Sequence, residues 1–237
     1  MGRILTLVVT AVLSCLLVTG LVELTGDISE NGNVFEVPAK AALGAAAGTE
    51  ARQITLPAQI PGTSLVAEQL VCYEGPMLED RSDEPIGPAL ALLIRNSGTL
   101  PILKAEVTLD RAGEHYIFRA GYLLPGMSVM VIEASAADYF QNGIESLAGW
   151  EQIMESAQNR LDGLRLTHVG MACIEVQNLT DTSMENITLY HRNYLPEGIF
   201  VGGITYETQI PCLLPGEAVC IYPEHYAEGY SQIFYAK

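Results

Sequence analysis

The amino-acid sequence predicts a mainly β chain, with two tandem β-sandwich modules joined by a short helical linker and preceded by an N-terminal transmembrane helix. Three observations lead there. A charge-free apolar run opens the chain, short strand-like blocks occur twice in the same order, and each copy carries a Leu-Pro-Gly turn at the same place. The expected order is an anchor at 1–24, a stalk at 25–64, a first module at 65–140, a helical linker at 141–163 and a second module at 164–237.

Residues 4–22 form an apolar run of 19 residues without a charge. Wound as a helix at ~1.5 Å per residue, such a run approaches the ~30 Å hydrocarbon thickness of a bilayer. It is also longer than the ~7–15 residue core of a cleaved signal peptide. Val18-Thr19-Gly20 offers a weak cleavage site, so a removed signal sequence is the alternative. Arg3 precedes the run, while Glu23, Asp27, Glu30 and Glu36 follow it. The positive-inside rule then places the N-terminus in the cytoplasm and the bulk of the chain outside a cell membrane crossed once. The lipid bilayer is thus one expected partner, through residues 4–22.

The next stretch, 25–64, has little to bury and no sustained period. It holds Asn31-Gly32-Asn33, an Ala-rich run at 39–48, and Pro57 and Pro61. It reads as a flexible Ala/Gly/Pro stalk.

Beyond it the repeat begins. Blocks at 90–96, 105–109 and 123–129 return at 172–178, 186–189 and 213–219, with offsets of 82, 80 and 90 residues. The growth to 90 marks an insertion in the second copy, around Asn193-Tyr194 and Gly202-Gly203. Ala172, Ile174 and Val176 alternate with Cys173, Glu175 and Gln177, a period of two with one face buried. In Leu124-Pro125-Gly126 and Leu214-Pro215-Gly216, proline presets φ and glycine tolerates positive φ, so the chain turns into the next strand. Short strands with such turns at these intervals predict a sandwich.

Between the copies the spacing predicts a helix. Asn142 and Glu145 form a capping box, Ile144, Leu147, Trp150, Met154, Ala157 and Leu161 recur at three- and four-residue steps, and Gly163 offers the stop. Trp150, the single tryptophan, would dock this helix onto a module.

The run Val176-Gln177-Asn178, then 184–190, then Leu214-Pro215-Gly216-Glu217 resembles the FxLYD-like and related immunoglobulin-like modules of bacterial envelope proteins. With its anchor, stalk and paired blocks, the whole chain resembles envelope proteins of Gram-positive bacteria. The resemblance spans about residues 65–237; the first copy departs from it, with Met127 in place of the glutamate after the turn. It implies an immunoglobulin-like fold and an extracytoplasmic place, and no reaction.

Composition excludes further classes. A net charge of −16 repels phosphate backbones, so no nucleic-acid partner is expected. Nucleophile-elbow, zinc-protease, phosphate-loop and dinucleotide motifs are missing from the sequence, and no enzyme is expected; a divergent hydrolase is a remote alternative. No cysteine pair has C-x-x-C spacing, and no histidine lies a zinc-site interval from a second ligand, so neither metal nor cofactor is expected. Cys212 and Cys220 flank the second turn and either face each other across it or pack as small side chains. The acidic run at 79–84 reads as a solvated loop, because Arg81 interrupts any calcium-binding pattern.

The candidate binding residues are Tyr222, His225, Tyr226 and Tyr230 in the stretch 222–230, with Tyr194 from the loop at 193–206. Aromatic faces with polar handles suit protein or glycan contact; the competing reading, favoured on residue type alone, is that the rings plug the end of the core. The expected role is non-enzymatic binding of an envelope protein or cell-wall partner. The alternative is a structural spacer or assembly accessory of a membrane complex.

Overall fold

The computed structural model describes residues 53–78, 84–154, 158–169, 173–195 and 198–237. The expected anchor, the stalk up to residue 52 and the acidic residues 79–83 lie outside them. Among the described residues no α-helix forms, and no helix is long and apolar enough to cross a membrane.

The strands are β1 (Ala58–Gln59), β2 (Leu65–Pro76), β3 (Pro85–Asn96), β4 (Ile102–Arg111), β5 (Glu114–Leu123), β6 (Ser128–Ile132) and β7 (Ser146–Ile153) in the first half. The second half has β8 (Leu164–Val169), β9 (Cys173–Asn178), β10 (Met184–Tyr194), β11 (Phe200–Leu213), β12 (Ala218–Ile221) and β13 (Ser231–Ala236). They build a seven-stranded sheet, β1-β2-β3-β6-β11-β10-β13, and two three-stranded sheets, β5-β4-β7 and β12-β9-β8. The ladders are antiparallel except between β6 and β11, which run parallel where Phe200 meets Val129 and Val201 meets Met130.

The pairings recur. In the first half β2-β3-β6 accompanies β5-β4-β7; in the second, β8-β9-β12 accompanies β11-β10-β13. Alternation makes the cores. On β4, Val107 and Leu109 are fully buried while Glu106 and Thr108 face outward, as a strand with one covered face requires. Leu90, Leu92 and Ile94 of β3 and Phe118 of β5 close the first core. Ile174 and Val176 of β9 meet Ile187, Leu189 and Ile210 in the second.

The recurrence extends to single hydrogen bonds. Asn96 is fully buried; its amide NH2 donates to Leu100 O and Leu123 O, both at 2.9 Å, and its Oδ1 accepts Gly98 N–H at 2.9 Å. Asn178, also fully buried, donates to Thr182 O at 2.8 Å and Leu213 O at 3.0 Å, and accepts Thr180 N–H at 2.9 Å. The backbone of each asparagine clasps its turn: Gly126 N–H donates to Asn96 O and Gly216 N–H to Asn178 O, at 2.8 and 3.0 Å. Both turns are type II, closed by Met127 N–H to Leu124 O and Glu217 N–H to Leu214 O, with Gly126 and Gly216 at φ +77° and +75°.

Three expectations are corrected. The linker at 141–163 is not helical. Its middle is strand β7, paired with β4 from Ser146–Asp110 to Ile153–Ile102, and among the linker's described residues only Leu161–Gly163 winds, as one 3-10 turn. Leu147, Gly149 and Glu151 face the first half's interior, while Ala148, Trp150 and Gln152 face out. Gly149 is the reason a helix reading fails: a Cβ there would lie 2.9 Å from Glu106 O and from Ile60 Cγ2, so the residue serves a close strand approach. The stalk does not reach residue 64, because β1 pairs with β2, Ile60 is fully buried, and Ile54 and Leu56 pack on the first core. Cys212 and Cys220 neither face each other nor pack as small buried side chains: Cys212 on β11 pairs opposite Glu185, and Cys220 on β12 opposite Glu175, in different sheets. Both are exposed thiols, Cys72 and Cys173 are buried, and none of the four is in a disulfide.

Two buried charged residues hold the interior together. Glu133 accepts N–H bonds from Ile117, Ser135 and Ala137 and a hydroxyl from Ser135. Burial raises its pKa, but these four donors outweigh it and leave the carboxyl below its usual value. Arg192, fully buried on β10, donates to Gly121 O of β5 and to Gly203 O, Ile204 O and Thr205 Oγ1 of β11. It thereby ties the two halves where their sheets meet.

Candidate functional site

Strand β10 brings the candidate site together. Around a bulge at Tyr190/His191, residues 189–192 are all buried, because both faces of the strand are covered there. His191 is 1% exposed, and its ring stacks on Tyr206 of β11 at 5.3 Å between centroids. Tyr226 meets His191 edge-on at 5.3 Å, His225 stacks on Tyr206 at 4.9 Å, and His168 of β8 stacks on Tyr226 at 5.8 Å. Three of the chain's four histidines thus interleave with two tyrosines.

The imidazole of His191 donates from Nε2 to Glu224 O at 3.0 Å, which fixes the neutral tautomer with Nδ1 unprotonated. Nδ1 has no hydrogen-bond partner among the described residues. Burial lowers its pKa to about 4; the hydrogen bond to Glu224 opposes the shift and the neighbouring His225 adds to it. Burial, reinforced by the Glu228 charge, pushes the Tyr226 phenol up. A neutral imidazole shut away from solvent holds the loop through its bond to Glu224 O. Beside the cluster a hollow of about 170 Å³ opens between β8, β9 and β13, lined by His168 and Tyr226 among others.

The five residues singled out in the sequence divide by position. Tyr226 is half-buried and packs on the second core, its hydroxyl 3.4 Å from His168 Nε2. His225 is exposed at φ +57° with its ring on Tyr206. Tyr194 is half-buried against Phe200, and its backbone N–H donates to Tyr230 O at 2.8 Å. Tyr222 and Tyr230 turn outward, 71% and 42% exposed. The stretch carrying them is held by Tyr230 N–H and Ser231 N–H to Ala227 O, by Ala227 N–H to Ser231 Oγ, and by the His191–Glu224 bond.

Sequence reasoning missed His168, His191 and Tyr206. They lie far apart in the chain, and the available signal was small: His191 follows Leu189 and Tyr190, but Arg192 and Asn193 come directly after it. Set against models of protein families, against curated proteins and against solved structures, the chain matches none.

Proposed function

We propose that the chain is a membrane-anchored, extracytoplasmic envelope protein built from two tandem immunoglobulin-like modules, and that it binds a protein or cell-wall partner without catalysing a reaction. The modular reading rests on the Asn96 and Asn178 networks, in which each amide spans the equivalent two carbonyls, four and 27 or 35 residues on, and accepts the N–H two residues on. The binding reading rests on one observation: Tyr222 and Tyr230 stand out from a stretch that backbone bonds hold in place. Exposed rings on a pre-ordered segment lose little entropy when a partner covers them.

The test is photocrosslinking in native membranes. A photoreactive amino acid at 222 or 230 of the full chain should capture a discrete envelope species. Capture from 222 should fall at least tenfold when Tyr230→Ala is added, with the circular dichroism unchanged. Crosslinks arising only from probes within residues 4–52 would instead make the chain a spacer for a neighbouring membrane complex.

A further inference from the structure

The outer face of β5-β4-β7 meets β11 at a corner, and the corner encloses a hollow of about 430 Å³. We propose that this hollow is a second binding site, independent of the 222–230 stretch, and that its ligand is a short saccharide of one or two rings.

Register supplies the first part of the argument. Glu106 of β4 pairs with Trp150 of β7 on one side and with Arg119 of β5 on the other. The three side chains therefore form one row across the sheet, an aromatic face followed by a carboxylate and a guanidinium. Lys104 lies one outward-facing position along β4, opposite Gly121. Trp150 is 50% exposed, on a sheet face where nothing among the described residues covers it fully. The Arg119–Glu106 pair, 2.8 Å apart, is solvent-accessible at the same rim, with Arg119 63% exposed.

The opposite wall is rigid. Gly203 of β11 passes so close to β5 that an added Cβ would lie 1.7 Å from Arg119 O. Beneath, Arg192 donates to the carbonyls of Gly121, Gly203 and Ile204, all of which line the hollow. The floor is thus fixed before any ligand arrives, and its small residues let a ligand approach the backbone.

The chemistry selects the ligand class. A volume of this size lies within the ~300–1,000 Å³ typical of small-molecule sites. An indole face accepts a flat C–H surface, while a carboxylate accepts and a guanidinium and an ammonium donate hydrogen bonds. A pyranose offers both surfaces: an apolar C–H face and an edge of hydroxyls that donate and accept together. A purely apolar ligand would bury the ion pair without replacing its water. A polyanion would face Glu106 and the repulsion of a chain with net charge −16.

Trp150 is the chain's single tryptophan, so its emission reports this corner alone. The full-length chain is titrated with the disaccharides of N-acetylglucosamine and of glucose (β-1,4 and α-1,4). At least one should give a saturable change in Trp150 emission below 10 mM, weakened tenfold or more by Glu106→Gln and by Arg119→Ala. Both substitutions lie on an exposed face, and circular dichroism verifies the fold. Tyr222→Ala should leave the titration unchanged, which separates this site from the loop proposed above. The inference is overturned if no disaccharide in the set saturates by 10 mM, or if saturation survives the Glu106→Gln/Arg119→Ala double variant.

Discussion

Asn96→Ala and Asn178→Ala probe the same bond network twice in one molecule. Each alanine removes two amide donors and one carbonyl acceptor from a fully buried site. Asn96→Ala takes a partner from two carbonyls and one N–H; Asn178→Ala does the same at Thr182 O, Leu213 O and Thr180 N–H, and also at Leu214 O and the Thr180 hydroxyl. At roughly 1 kcal/mol per lost bond, and more where the orphaned group stays dry, each substitution should cost about 3–4 kcal/mol. With a urea slope of roughly 3 kcal/mol per molar for a chain of this size, the midpoint should fall by about 1 M. Urea unfolding read by Trp150 emission and by far-ultraviolet circular dichroism checks this, because Trp150 sits in the first half on β7. Tyr190, Phe234 and Tyr235 of the second half pack in the first core, and Arg192 bonds across the junction. Asn178→Ala should therefore lower the Trp150 midpoint as much as Asn96→Ala does. A Trp150 midpoint unmoved by Asn178→Ala would refute the coupling, and a loss under about 1 kcal/mol in either variant would refute the hydrogen-bond accounting.

Two further substitutions test the interior. His191 has a folded pKa near 4 against an ordinary 6.5, so the unfolded chain takes the proton first as pH falls. Its contribution is intact above pH 6.5 and should be lost between pH 6.5 and 4, by about 3 kcal/mol at ~1.4 kcal/mol per unit. His191→Gln, which keeps a donor for Glu224 O, should flatten that window in urea titrations at a series of pH values; an unchanged slope would show that other groups carry it. Gly203→Ala sets a Cβ 1.7 Å from Arg119 O, backbone against backbone, and should cost at least about 3 kcal/mol. Calorimetry should show the melting temperature lowered by roughly 6–12 °C, and a loss under 2 °C would mean that β11 can shift away from β5.

What the sequence displays depends on how local the cause is. The type II turns at Leu124–Met127 and Leu214–Glu217 are legible because proline and glycine settle φ within four residues. Strand β9 is legible because Ile174 and Val176 alternate with Glu175 and Gln177, although Cys173, expected on the outward face, is buried too. Strand β7 is not, because Ile144, Leu147, Trp150 and Met154 happen to fall at helical intervals while the residue deciding the matter is Gly149, whose constraint comes from Ile60 and Glu106 on other strands. The end of the stalk fails similarly: β1 pairs through only Ala58 and Gln59, too short to show a period. Within the candidate site, the aromatic stretch 222–230 stands out by composition. Its seat does not, because His168, His191 and Tyr206 reach it from three separate strands.

The insertion in the second copy links these strands of reasoning. In sequence it is only a lengthened interval between two blocks, with Gly202-Gly203 in it. In space it forms the start of β11, whose Phe200 and Val201 make the parallel ladder to β6 and whose Gly203 lies against β5. The first copy, without the extra residues, has nothing to extend in this way. The consequence is directional: the second half's edge joins the first half's sheet while the first half's outer face stays open beside it, and the corner with Trp150, Glu106 and Arg119 exists because of that offset. Glycine at 203 and arginine at 192 are then two parts of one requirement, since a backbone brought this close needs both the missing side chain and a buried donor for its carbonyls.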